Sequence, residues 1–160
     1  MAKTAIPRKP NLSNFDKPKQ PKRPRPTEHN EQVAVIFWAR IQAKRNPELE
    51  LLAAVPNGAK LPYRKNSKGQ RYSPEAMKLK AEGLLPGFPD LFLPVARNGY
   101  HGALWELKVG KNVPSDEQKR IIELLLAQGY FVDVCYGADV LIKSICDYLD
   151  IKDDQNAYVM

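Results

Sequence analysis

The chain has 160 residues, a formal net charge of +7, 43% apolar residues and two cysteines. That length suits one domain with its own core, and Cys135 and Cys146, both in apolar surroundings, read as buried thiols rather than a disulfide staple. The sequence reads as lacking a secretory leader, and no apolar run approaches the roughly 18 residues that a membrane span needs, so the expectation is a soluble intracellular protein.

The charge is concentrated at one end. Residues 1–27 carry eight Lys and Arg against Asp16 alone, whereas residues 28–160 hold 17 basic and 17 acidic residues and are neutral. With six prolines and few large apolar side chains, the first 27 residues cannot bury enough surface to fold alone. They form either a tether for phosphate backbone or a solvated tail. The expected division is a disordered basic arm over 1–27, a folded domain over 28–150 and a short tail over 151–160.

Thr27 is placed to cap a helix from Glu28 to about Asn46, where Pro47 disfavours helical geometry in the residue before it. Val33, Ile36, Phe37 and Ile41 are its expected apolar stripe. Trp38 belongs either to the core or to a contact with a second chain. Glu31 reads as an exposed first-turn carboxylate favoured by the helix dipole, and His29 as a surface residue.

A first strand over residues 51–55 should end at the turn Pro56-Asn57-Gly58. From Lys60 to Lys80 there are seven basic residues against Glu75, with Tyr63 and Tyr72 between them. Lys60, Arg64, Lys65, Lys68 and Arg71 would neutralise phosphates while Tyr63 and Tyr72 offer faces for bases, unless the segment is simply a solvated loop. Ser73-Pro74 opens a short helix that closes at Gly83.

Gly87-Phe88-Pro89-Asp90-Leu91-Phe92-Leu93 and Ala103-Leu104-Trp105-Glu106-Leu107-Lys108 read as paired strands, with Asn98-Gly99 as a tight turn between them. Strand alternation sends Glu106 and Lys108 to one face and Trp105, Leu107 and Val109 to the other. The hairpin would bring Asp90 level with Glu106. Two hard oxygen ligands beside a lysine suit Mg²⁺ or Mn²⁺ and an attacking water.

Ser115-Asp116-Glu117-Gln118 makes a capping box for a helix whose apolar positions are Ile121, Ile122, Leu124 and Leu125 and which ends at Gly129. Residues 130–136 follow as a strand and 140–149 as a last helix; His101 is a loop residue. A helix between the third and fourth strands permits a parallel crossover. The fold class is α/β, with a mixed sheet of about four strands flanked by helices.

Pro89-Asp90 followed by Glu106-Leu107-Lys108 resembles the PD-(D/E)xK nuclease signature. With Gly87-Phe88 before it, Pro56-Asn57 upstream and Gln118 downstream, the pattern over about residues 28–137 resembles the VRR-NUC (virus-type replication-repair nuclease) branch. The resemblance implies a restriction-endonuclease-like core and metal-dependent hydrolysis of phosphodiester bonds. Asp90, Glu106 and the carbonyl of Leu107 would hold Mg²⁺ or Mn²⁺, and Lys108 would orient a water or stabilise developing charge. It further implies that Glu31 reaches the metal and that Gln118 points into the site. That second role competes with capping for a single side-chain amide. Branched DNA, most plausibly a four-way junction, is the expected substrate, and a homodimer the expected assembly. A flap or single-strand nuclease, a non-catalytic DNA-binding module and an RNA-directed enzyme on the same core are the alternatives.

Overall fold

The computed structural model describes residues 27–56, 64–65 and 67–152, without the side chain of Arg71. The basic arm before Thr27, Lys60, Tyr63 and most of the C-terminal tail lie outside the described residues.

Helix α1 spans Glu28–Gln42, with the Thr27 hydroxyl accepting from Asn30 N. A 3₁₀ turn at Pro47–Leu51 follows and shortens the expected first strand to β1, Ala53–Ala54. Next come a two-stranded ribbon of β2 (Arg64–Lys65) and β3 (Arg71–Tyr72), and α2 at Pro74–Ala81, capped by Ser73. Strands β4 (Leu91–Leu93) and β5 (Ala103–Lys108) are joined across Asn98-Gly99, whose positive φ values of 52° and 84° are those of the turn that matches strand twist. Helix α3 covers Asp116–Ala127, β6 Phe131–Tyr136 and α4 Ala138–Leu149.

The main sheet has the order β1-β4-β5-β6. β4 is antiparallel to β1 and β5, and β6 is parallel to β5, which makes the expected mixed sheet. On one face Trp105 and Leu107 join Leu91, Leu93 and Cys135 in the core under α1 and α4. β5 is buried along its whole length, so Glu106 and Lys108 on the opposite face are shielded as well.

α1 corrects its expected stripe. Val35, Trp38, Ala39 and Gln42 are buried, whereas Val33 and Phe37 are 53% and 61% exposed. The segment Val33–Ile41 is apolar around much of its circumference, so periodicity alone did not select the face that α4 and the sheet cover. Trp38 belongs to the core. On α3, which packs against β6, Ile121 is buried and Ile122 and Leu125 are partly buried, whereas Leu124 is 52% exposed.

Candidate active site

Asp90 sits one residue before β4. Leu91 pairs with Trp105, so continuing that antiparallel register puts Asp90 opposite Glu106. Its Oδ2 accepts a hydrogen bond from the Leu107 amide at 2.9 Å, and its own carbonyl accepts from Val55 N at 2.8 Å. The Leu107 amide therefore orients the carboxylate from β5, while the Val55 amide, just past β1, anchors the Asp90 backbone from the other side. The approach to it is tight: Gly87 has a φ of +81°, and a Cβ there would lie 2.9 Å from the backbone of Glu117.

Glu106 is fully buried. Its Oε1 accepts from Lys108 Nζ and from Gln118 Nε2. Its Oε2 is buried with no hydrogen-bond partner among the described residues. A buried carboxylate oxygen without a donor costs free energy unless something not yet bound completes it. Burial pushes the Glu106 carboxyl up from 4.5 to about 7, opposed by the Lys108 hydrogen bond and assisted by the nearby charge of Asp90. Burial also raises Asp90, while the Leu107 amide and the Lys108 charge pull it down.

The Gln118 amide does two jobs because it has two ends. Its Oε1 accepts from Ser115 N at 2.9 Å, closing the capping box, and its Nε2 donates to Glu106 at 2.5 Å. The expected competition between capping and the site does not arise. Ser115 fixes which end faces inward.

Glu31 is placed differently. Its Oε2 accepts from Ala138 N at 2.7 Å and so satisfies a donor at the start of α4, where Gly137 supplies no capping side chain. The α1 carboxylate that acts on the pair is Glu28, whose charge raises both Asp90 and Glu106 and whose Oε1 accepts from Asn112 Nδ2 at 3.1 Å. Sequence reading passed over Glu28 because a glutamate opening a helix needs no further reason. Its neighbour Asn112 is 84 positions away, and no local pattern announces that pairing.

Among the described residues no three His, Cys, Asp or Glu side chains gather into a metal cluster. Asp90 and Glu106, with a backbone carbonyl and water, could hold a hard divalent cation that keeps much of its hydration. The unpartnered Glu106 Oε2 is the feature such an ion would satisfy.

Of the residues expected at the nucleic acid, Arg64, Lys65, Lys68 and Tyr72 are exposed on the β2–β3 ribbon and its turn. Arg64 approaches Glu75 at 3.7 Å, and Arg71 lies in β3.

The family profile of the VRR-NUC domain matches residues 28–139. The chain belongs to the VRR-NUC family. A solved structure described as a VRR_NUC domain protein is 29% identical, with a TM-score of 0.61 over 81% of this chain and 93% of that one. No curated protein matches the chain. Membership in the VRR-NUC family indicates a nuclease-type, DNA-processing function, with DNA as the substrate. Within that family's matched span lie Glu28, Asp90, Glu106, Lys108 and Gln118.

Proposed function

We propose that this VRR-NUC protein is a metal-dependent endonuclease that hydrolyses phosphodiester bonds in branched DNA, with four-way junctions as its substrate. The observation that carries the reading is Glu106 Oε2, an acceptor buried without a donor beside a second carboxylate, Asp90. Asp90, Glu106 and the Leu107 carbonyl would hold Mg²⁺ or Mn²⁺. When bound, such an ion supplies a water of lowered pKa and offsets charge on the phosphate. Gln118 and Lys108 both donate to Oε1, so the other oxygen is left for the ion. Lys108 also brings a cation to the face where negative charge develops on a phosphoryl group. Glu28 is better placed than Glu31 to add a carboxylate, since Glu31 is engaged at α4.

The exposed basic ribbon, together with Lys60 and Tyr63, would neutralise and stack on the substrate strand, and the arm would add contacts that do not depend on sequence. A two-fold dimer would supply the paired cuts that a symmetric junction requires. With Trp38 in the core, exposed Val33 and Phe37 are the apolar part of α1 available for such a contact. Two buried free thiols suit a reducing, intracellular setting.

Incubation of the full chain with labelled single-stranded, flapped, nicked and four-way DNA, in Mg²⁺, Mn²⁺ or EDTA, tests the reading. Paired symmetric nicks in the junction with a divalent ion and none in EDTA are expected. Cleavage confined to flaps or single strands would select the alternative substrate, and binding without cleavage in either metal would make the chain a structure-selective binding module.

A further inference from the structure

On the sheet face opposite Glu106 lies a cavity of about 400 Å³ between α4, β6 and the Asn98-Gly99 turn. Its size falls within the roughly 300–1,000 Å³ of small-molecule sites. Three aromatic rings line it: Tyr100 and Tyr148 flank Phe131, at centroid distances of 5.6 and 5.3 Å. Asp133, in register with Trp105, supplies a carboxylate to the wall.

That carboxylate is held in place. Trp105 Nε1 donates to Ser144 Oγ at 2.9 Å, and Ser144 Oγ donates to Asp133 Oδ2 at 2.6 Å. The indole can only donate, so it turns the hydroxyl proton toward Asp133. Cys135 Sγ approaches the same oxygen at 3.5 Å. Oδ1 has no hydrogen bond among the described residues. At the rim Lys143 pairs with Asp147 at 2.5 Å, so the titratable lining of Asp133, Lys143 and Asp147 carries one net negative charge.

An anionic wall repels phosphate, which sets this cavity apart from a strand-binding surface. Aromatic faces beside one fixed carboxylate oxygen match an organic cation, whose charge the rings attract and whose N–H the carboxylate accepts. We propose that this cavity is a second binding site, separate from the metal-binding carboxylates, for a guanidinium or alkylammonium group. It is independent of the nuclease reading.

The test is titration of the ¹⁵N-labelled full chain at low salt with agmatine and, as an uncharged isostere of its butylguanidinium part, N-butylurea, followed by amide chemical shifts. Agmatine is expected to shift the Tyr100, Asp133 and Ser144 amides saturably, with N-butylurea at least about tenfold weaker. Asp133→Asn keeps an acceptor for Ser144 and should weaken agmatine roughly tenfold or more. Tyr100→Leu, at a side chain 39% exposed, should weaken it by about two- to fivefold. Spermidine and the tripeptide Gly-Arg-Gly then separate a free polyamine from a basic side chain, the source being the one that saturates the same amides at lower concentration. Absence of saturable shifts at those amides, equal affinity for N-butylurea, or unchanged affinity in Tyr100→Leu would each overturn the proposal. The last two need no folded Asp133→Asn protein.

Discussion

Glu106 has two oxygens in different surroundings, and the consequences reach from stability to catalysis. Oε1 takes two donors while Oε2 takes none. The native carboxyl keeps its proton up to about pH 7, whereas an unfolded glutamate releases it near 4.5. The folded state therefore binds more protons between those values. Its contribution to stability is fully present below about 4.5 and is lost as pH rises through about 7. Thermal unfolding between pH 4.5 and 8 should show that decline in metal-free wild type and a flatter profile in Glu106→Gln. A divalent ion bound at Glu106 has to displace the proton, so its affinity, measured calorimetrically, should climb with pH to about 7 and then level off. Gln118→Ala removes a donor to Oε1 and the capping acceptor together; cleavage should fall by about 10²-fold and stability by about 1 kcal/mol, read from kinetics and denaturant unfolding.

Between elements, the close approach that matters joins the loop before β4 to the first turn of α3. Gly87 lies against the backbone of Glu117, one residue from Gln118, and three residues before Asp90. Gly87→Ala would meet both a positive φ and a 2.9 Å contact with backbone, so it should cost about 1–3 kcal/mol in denaturant unfolding and lower cleavage by moving Asp90 and Gln118 apart. Much of this scaffold was legible in the sequence because its signals are local: Asn98-Gly99 for the hairpin, Ser115 and Gln118 for the cap, alternation for the two faces of β5. What was not legible depends on contacts between distant segments. The apolar residues of α1 surround much of the helix, and only docking on α4 and the sheet chose Val35 and Trp38 over Val33 and Phe37. Glu28 and Glu31 are both first-turn glutamates, and their separation into a neighbour of the site and a cap for α4 follows from where Asn112 and Ala138 lie. That a single amide could serve both Ser115 and Glu106 required their relative positions as well as the motif.

For the whole molecule, a neutral domain joined to a cationic arm would divide affinity from chemistry if the arm tethers phosphate backbone. Deleting residues 1–26 should weaken binding to all DNA substrates alike and flatten the slope of log affinity against log salt by roughly 0.9 per lost phosphate contact on duplex DNA, with the cleavage pattern unchanged. An unaltered slope would make the arm a solvated tail. Light scattering at micromolar concentration should give twice the 18.1 kDa chain mass, and Phe37→Glu should return it to the monomer if α1 forms the contact. No described helix is long and apolar enough to cross a membrane. The central claim is that Asp90, Glu106 and Lys108 form one metal-dependent cleavage centre. Its most direct measurement is single-turnover cleavage of a labelled four-way junction at saturating Mg²⁺ or Mn²⁺ by wild type, Asp90→Asn, Glu106→Gln and Lys108→Ala, with folding checked for each. Cleavage by wild type alone, abolished by EDTA and reduced by about 10²–10³-fold or more in every variant, is the expected result. Near wild-type turnover by any folded variant, or cleavage that persists in EDTA, would contradict it.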